Sequence, residues 1–311
     1  MIAQADRTTL AEQQRRGRFR KWSLPSRDVL LLLGPAVLYL IAFSVFPLLY
    51  SLRISFTDQG AAQDAAQWIG LENYARLLSD PFFWNAATNT AAMVGAAVTI
   101  QVVLGTALAV FFNLNLRGSW LVRGILILPM LLTPIVVGVM WRALFNPDWG
   151  IINWALEEVG LDAPNWLGST EWAIRTLILV DVWQWTPFVF LIVFARLQAL
   201  SVEVFEAAQV DGAGAIAMIR RITLPLLWPA IAFAAIFRAI DAFRSFDLVY
   251  GLSYGGPARS TTTLSFLAFQ NGFQFQNYGY AAATAYVMVI ILMVATTVLL
   301  RYVRLRGADA A

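Results

Sequence analysis

The 311-residue sequence contains no cysteine and no histidine, and its one lysine, Lys21, lies near the N-terminus. These absences exclude disulfides, thiolate or imidazole catalysis, and zinc or haem sites of the usual kinds. Without a second lysine the chain also lacks the GxxxxGK[ST] loop that holds nucleotide phosphates. We therefore expect no catalytic residue, no metal site and no cofactor in this chain, and any ATP would be bound elsewhere.

Charged residues are scarce as well, at 13% of the sequence, whereas 59% of the residues are hydrophobic. Soluble domains carry about 25% charged and about 45–50% apolar residues. A helix needs about 20 predominantly apolar residues to cross a bilayer. The sequence therefore predicts an all-α polytopic membrane protein with six transmembrane helices, at about 29–50, 88–112, 122–144, 173–196, 226–249 and 278–302.

The positive charges predict an orientation for these six spans, because Lys and Arg accumulate in cytoplasmic segments. Fifteen of the 22 Lys and Arg residues lie at the two ends of the chain, at 1–28 and beyond 300, or in the loops that follow the second and fourth spans, at 113–123 and 196–225. Only three lie in the remaining loops, at 51–87, 145–172 and 250–277. Both termini are therefore predicted to be cytoplasmic, as a basic N-terminal tail at 1–28 and a short C-terminal tail at 303–311.

Three prolines fall inside predicted spans. Proline removes a backbone donor and kinks a helix. Pro129 and Pro134 interrupt the third span, and Pro187 interrupts the fourth among polar residues. Ordinary packing geometry explains Pro129, whereas Pro187 points to a functional region.

The predicted cytoplasmic loop at 201–225 is too polar at its start to cross a membrane. Ser201 is a plausible N-cap for a helix of about ten residues, and Gly212 and Gly214 would end that helix. A second short helix is expected around Ile222, before Pro225 marks the beginning of the fifth span. The apolar residues of this helical hairpin either pack on the ends of the spans or contact another protein.

The same loop resembles a known motif. Glu206-Ala207-Ala208, Gly212, Ile222 and Leu224-Pro225 match the EAA motif of the membrane subunits of binding-protein-dependent ABC importers. Residues outside the loop resemble the maltose-type carbohydrate permeases of that class, notably WIGLENY at 68–74, FDLVY at 246–250 and GGP at 255–257.

The resemblance implies a type I ABC importer permease in the bacterial cytoplasmic (inner) membrane. Its partners would be a second permease, by family habit a different chain, two ATPase subunits that bind ATP and Mg, and a periplasmic or lipid-anchored solute-binding protein. No nucleic acid is implied. Coupling to the ATPases is carried over to Glu206, Ala207, Ala208, Gly212, Leu224 and Pro225. Contact with the binding protein is carried over to Gly255, Gly256 and Pro257.

The resemblance also places the solute pocket on two polar stripes of helical spacing in the fourth and fifth spans. These stripes are formed by Asp181, Gln184, Trp185, Phe188, Arg238, Asp241, Ala242 and Ser245. Carboxylate and amide groups suit sugar hydroxyls, and aromatic faces suit the apolar side of a sugar ring. Two interpretations of Arg238 remain open: it pairs with Asp241 or Asp181, or it binds an anionic group on the solute.

Two other functions compete with the importer permease. An ion-coupled secondary transporter of a small polar solute would need coupling carboxylates and usually internal inverted repeats. No repeat relates 29–144 to 173–302, and the EAA match would be unexplained. A membrane enzyme could use Asp181 and Asp241 as an acid–base pair, but no nucleophile accompanies them. The sequence favours the importer permease and leaves the identity of the solute open.

Overall fold

The computed structural model describes residues 27–60, 66–114 and 118–308, and these residues are mostly α-helical. All but the last two residues of the predicted N-terminal tail lie outside the described residues, as does the end of the chain from 309 onward. The chain divides into two compact units, residues 1–51 and 52–311. In the first, α1 (Arg27–Leu40) continues through a π-helical turn at Ile41–Val45 into α2 (Phe46–Ser55), which ends in the second unit.

The second unit contains twelve further helices among its described residues. They are α3 (Glu72–Ser79), α4 (Pro81–Phe112), α5 (Ser119–Leu131), α6 (Pro134–Leu144), α7 (Ile151–Glu158), α8 (Thr170–Gln198), α9 (Val202–Val210), α10 (Ala215–Ala217), α11 (Leu224–Phe243), α12 (Asp247–Leu252), α13 (Leu264–Phe269) and α14 (Tyr278–Ala308). Two of them are extended by π-helical turns, at Met218–Thr223 between α10 and α11 and at Gln270–Gln274 after α13.

Five helical segments of the described chain are long and apolar enough to cross a membrane. They are Leu31–Ser55, Pro81–Phe112, Thr170–Gln198, Ala215–Phe243 and Tyr278–Arg301. A sixth span is obtained if α5 and α6 count as one broken span. The prediction of an all-α polytopic membrane protein is therefore confirmed.

The break between α5 and α6 bends the third span by 101°. Leu132 and Thr133 are both extended, and Pro134 begins α6. Proline disfavours the helical conformation of the residue before it and cannot donate a hydrogen bond to the preceding turn. Pro134 therefore accounts for the break, whereas Pro129 lies within α5 and Pro187 lies within α8 without ending either helix.

The fifth span differs from the prediction of 226–249 at both ends. The helix starts at Ala215, continues through the π-helical turn and ends at Phe243. The separate second helix predicted before Pro225 is therefore the first part of this span. Pro225 lacks the N–H that would bond four residues back, and the wider π-helical turn just before it keeps the helix continuous. The predicted final residues of the span instead form a turn and the start of α12.

Two close backbone contacts position the functional region. A Cβ on Gly105 of α4 would lie 2.7 Å from Cβ of Val189, so α4 and α8 meet at backbone distance. A Cβ on Gly138 of α6 would lie 2.8 Å from the amide nitrogen of Leu252 in α12. Small residues allow such contacts between membrane helices. As a result, Gln101, one turn before Gly105, faces α8, and the first turns of α6 and α12 lie beside the same polar cavity.

Candidate functional site

A buried network of polar side chains joins α4, α8 and α11. Arg238 of α11 is fully buried, and its Nε donates to Oε1 of Gln101 at 3.0 Å. Its Nη2 donates to Oδ2 of Asp181 at 3.0 Å, and its Nη1 donates to Asp241. Gln101 in turn donates from Nε2 to Oδ2 of Asp181 at 2.7 Å. Each nitrogen of the guanidinium group therefore has a partner within the chain.

Trp185 covers the flat side of the same guanidinium group. The central carbon of the Arg238 guanidinium lies 4.7 Å from the centroid of the Trp185 ring, a cation–π distance. An unpaired charge buried among membrane helices is costly, so pairing with both carboxylates explains how Arg238 is tolerated there. Of the two interpretations left open by the sequence, the structure therefore shows pairing, with both Asp181 and Asp241 rather than with one of them.

A cavity of about 300 Å³ lies beside this network. Its walls combine charged, polar and aromatic side chains from the middle of α8, from the ends of three other helices, and from the turn between α11 and α12. It is lined by Pro134, Asp181, Trp185, Asp241, Ala242, Arg244, Ser245, Phe246, Asp247 and Leu248. The volume is at the lower end of the range for small-molecule sites.

The structure brings five of the eight predicted pocket residues to this cavity, namely Asp181, Trp185, Asp241, Ala242 and Ser245. The other three lie outside its lining. Arg238 is behind the two carboxylates, and Phe188 stacks on Phe237 with ring centroids 5.0 Å apart. Ala242, which offers no polar side chain, is buried in the wall.

Gln184 does not line the cavity and bonds instead to the broken third span. It is fully buried, and its Nε2 donates to the backbone carbonyl of Leu132 at 2.9 Å. Leu132 lies at the break between α5 and α6, where the backbone is extended and helical hydrogen bonding is interrupted. An unsatisfied carbonyl there would cost free energy. Gln184 therefore holds the bend of the third span in place.

Sequence reasoning missed several residues that line the cavity. Arg244 and Asp247 lie next to the predicted stripe in the sequence, but they fall off its helical spacing. Because α11 ends at Phe243, the chain turns there and brings both residues to the cavity although they lie off that spacing. The hydroxyl of Thr263 donates to the carbonyl of Ser245 at 3.2 Å and holds the intervening turn. Pro134, at the break of the third span, also lines the cavity. The sequence identified this proline only as an interruption of that span.

A larger groove of about 660 Å³ lies between α4 and the helix that begins at Ala215. Its lining is aliphatic or aromatic except for Thr106, whose hydroxyl has no hydrogen-bond partner among the described residues. A polar solute would lose its hydrogen bonds to water there without replacement. The smaller polar cavity is therefore the better candidate for a solute site.

The loop at 201–214 contains α9, which is exposed except for Phe205 and Ala208, and Phe205 packs on the buried cluster of the spans. Ser201 occupies the N-cap position of α9 but makes no capping bond; its hydroxyl instead donates to Glu203. Glu206 and Ala207 are exposed, whereas Ala208 is buried. Gly212 follows the helix in the left-handed region with φ +80°, where a side chain is strained. Leu224 and Pro225, at the beginning of α11, are exposed.

The predicted contact at Gly255, Gly256 and Pro257 lies in a tight turn between α12 and α13. Gly255 is buried with φ +79°, and its carbonyl accepts a hydrogen bond from the Thr262 hydroxyl at 3.0 Å. Gly256 and Pro257 are half-buried. The hydrogen bond from Thr262 therefore holds the turn in place, and the exposed residues of the turn are Tyr254 and Ala258.

Residues 101–306 match the family described as binding-protein-dependent transport system inner membrane component. The chain belongs to this family. It is 33% identical to the trehalose/maltose transport system permease protein MalF of Thermococcus litoralis, over 89% of this chain and 93% of that protein. It is 36% identical to the sulfoquinovosyl glycerol transport system permease protein SmoG of Agrobacterium fabrum, over 88% of this chain and 89% of that protein.

The fold of this inner membrane component is also found in a solved structure. A chain in the crystal structure of a bacterial ABC transporter involved in the import of the acidic polysaccharide alginate superposes with a TM-score of 0.79 at 25% identity. The match covers 89% of this chain and 96% of that chain. The predicted resemblance to ABC importer permeases and the predicted fold are thereby confirmed.

Proposed function

We propose that the chain forms half of the transmembrane path of an ATP-driven importer for a sugar or sugar derivative. The observation that carries this proposal is the polar cavity beside the Arg238 network, set among apolar spans of a permease whose relatives are named for sugars. The other half of the path would be a second permease, which in this family is usually a different chain. A solute-binding protein would deliver the sugar from the outer side of the inner membrane.

The chemistry of the cavity suits a sugar. Trp185 is half-buried and can offer part of its ring face to the apolar side of a sugar ring. Asp241 is partly exposed, and the Ser245 hydroxyl has no hydrogen-bond partner among the described residues, so both can bond to solute hydroxyls. A solute bound among moving helix bundles is released on the opposite side when the bundles rock, which is alternating access.

Energy for this movement would come from two partner ATPases that hold ATP and Mg, because this chain has no nucleotide-binding loop. We propose that α9 docks on an ATPase, with Glu206 and Ala207 at the contact and Leu224-Pro225 transmitting the movement to the fifth span. The exposure of α9, including Val202 and Val210 at 66% and 88%, supports a partner on this surface. Both termini would then be cytoplasmic. The turn at Gly255–Pro257 would contact the binding protein.

The Trp185→Ala variant tests the proposed pocket. An aromatic contact is worth about 0.5–1.5 kcal/mol beyond its buried area, so solute binding should weaken roughly 2- to 12-fold. The measurement is uptake of radiolabelled trehalose, maltose, lactose and sulfoquinovosyl glycerol into proteoliposomes that contain the complete transporter. Uptake of the transported probe should fall while ATP hydrolysis without binding protein persists.

Two further variants make this test specific. Trp185→Phe keeps an aromatic face and should retain most of the uptake. Trp172→Ala removes a half-buried tryptophan of the same helix that contacts Trp166 and does not line the cavity, and it should transport normally. Normal uptake by Trp185→Ala would show that the solute passes elsewhere.

A further inference from the structure

We propose that Arg244 and Asp247 contact the solute and set its charge preference. The inference rests on the proposed function, because it concerns the same cavity. Neither residue belongs to the stripes of helical spacing in the fourth and fifth spans. Both lie at the break between α11 and α12, where the chain turns and directs side chains of opposite charge to one cavity wall.

Arg244 is the cation of the cavity with free donors. The side chain of Arg238 is 1% exposed, and its donors are bound by Gln101, Asp181 and Asp241. The side chain of Arg244 is 64% exposed and forms an ion pair with Asp241, but the 3.7 Å between Nη2 and Oδ1 is beyond hydrogen-bond distance, so its N–H donors remain open. A guanidinium group with free donors in a polar cavity can bind hydroxyl, carboxylate or sulfonate oxygens.

Asp247 is the complementary acceptor. It is exposed and lines the cavity, and its carboxylate makes no hydrogen bond or ion pair with any residue that the structure describes. By contrast, both oxygens of Asp181 accept hydrogen bonds from Arg238. A carboxylate with open acceptor sites can bind sugar hydroxyls, and it repels an anionic group placed beside it.

The formal charges of the region favour discrimination between solutes. Three carboxylates, those of Asp181, Asp241 and Asp247, face two guanidinium groups, those of Arg238 and Arg244, which leaves a formal charge of −1. Because the carboxylates of Asp181 and Asp241 are paired with Arg238, the charge that a bound solute contacts depends on Arg244 and Asp247. Loss of the cation should disfavour acidic solutes most, and loss of the Asp247 charge should favour them.

The alternative is a role in helix stability alone. Arg244 follows the C-terminus of α11, and Asp247 begins α12, and both placements are favourable for the helix dipoles. That role predicts a lower unfolding temperature and a lower yield of the complex. It predicts no dependence of transport on the charge of the solute, and this difference separates the two explanations.

The experiment uses the complete transporter in proteoliposomes, with its cognate binding protein. The neutral probes are trehalose, maltose and lactose, and the acidic probes are sulfoquinovosyl glycerol and an alginate pentasaccharide. For the transported probe, Arg244→Gln should lower uptake roughly 10- to 150-fold, as expected for a lost hydrogen bond to a charged group. Asp247→Asn should lower uptake of a neutral probe or raise uptake of an acidic probe about fivefold or more.

Cysteine substitution adds a direct test of access, because the sequence has no cysteine. Arg244→Cys and Asp247→Cys should react with sulfonatoethyl methanethiosulfonate, and the transported probe should protect both. The matched control is Arg175, an exposed arginine of α8 that pairs with Glu171 outside the cavity. Arg175→Gln should transport normally, and Arg175→Cys should be labelled without protection.

The outcomes are distinguishable. If the wild-type transporter takes up none of the five probes, the proposed function fails and this inference fails with it. If the wild type transports and both charge variants remain within twofold of it, the inference is overturned and the proposed function stands. Loss of uptake that only follows loss of assembled complex or of thermal stability also overturns it, in favour of the helix-end role. Selective loss of uptake with normal assembly supports it.

Discussion

Arg238→Leu should lower the free energy of unfolding of the permease by about 3–5 kcal/mol, the usual cost of removing one partner of a buried ion pair. The variant leaves the buried Asp181 carboxylate without its cation, and it leaves the Gln101 carbonyl without its donor. Since the network joins α4, α8 and α11, its loss should weaken the contacts among three spans. Denaturant titration in detergent micelles measures the change.

Two controls separate the buried pair from arginine loss in general. Arg175→Leu removes an exposed ion pair with Glu171 and should change stability by less than about 1 kcal/mol. The double variant Asp181→Leu with Arg238→Leu leaves no unpaired charge at the fully buried positions, so it should be more stable than Arg238→Leu alone. A stability of Arg238→Leu equal to that of the wild type would show that the network does not hold the spans together.

Gly212→Val should abolish most of the association with the ATPase subunits. Gly212 has φ +80°, a conformation that is strained for a residue with a side chain and most strained for a β-branched one. No atom lies within 4 Å of a Cβ placed at this position, so the effect would come from the backbone and not from a clash. We expect roughly 5- to 30-fold less co-purified ATPase, from a turn destabilised by about 1–2 kcal/mol.

Matched variants isolate this backbone effect. Gly212→Asn should retain more ATPase, because asparagine tolerates the left-handed conformation. Gly214→Val lies two residues further along the same exposed turn, in an extended conformation that valine adopts readily, and it should bind normally. Wild-type co-purification by Gly212→Val would contradict docking through this loop.

The membrane-spanning organisation could be predicted from the sequence because apolar run length directly reflects bilayer thickness. The broken third span could be predicted only in part. Pro134 predicts an interruption of the helix. The 101° bend is also stabilised by Gln184 of α8, whose amide donates to the carbonyl of Leu132. Helical spacing put Gln184 on the same face as Asp181, and only the neighbouring helix determines which group its amide reaches.

Helical spacing predicts the candidate site only in part. Asp181 and Trp185 line the cavity because α8 is continuous through both. Arg244 and Asp247 lie off the helical spacing of the predicted stripe, and they reach the cavity because α11 stops at Phe243 and the chain turns there. The partner of Arg238 in α4, Gln101, is 137 residues away in the sequence, and only the close contact of α4 with α8 brings it to the network.

The most direct measurement is sugar uptake into proteoliposomes under two energy sources. With the second permease, both ATPases, ATP and the loaded binding protein present, we predict uptake that persists when ionophores dissipate all ion gradients. With this chain alone and an imposed proton or sodium gradient, we predict no uptake. Gradient-driven uptake by the isolated chain, without any ATPase, would contradict the importer account and indicate an ion-coupled transporter.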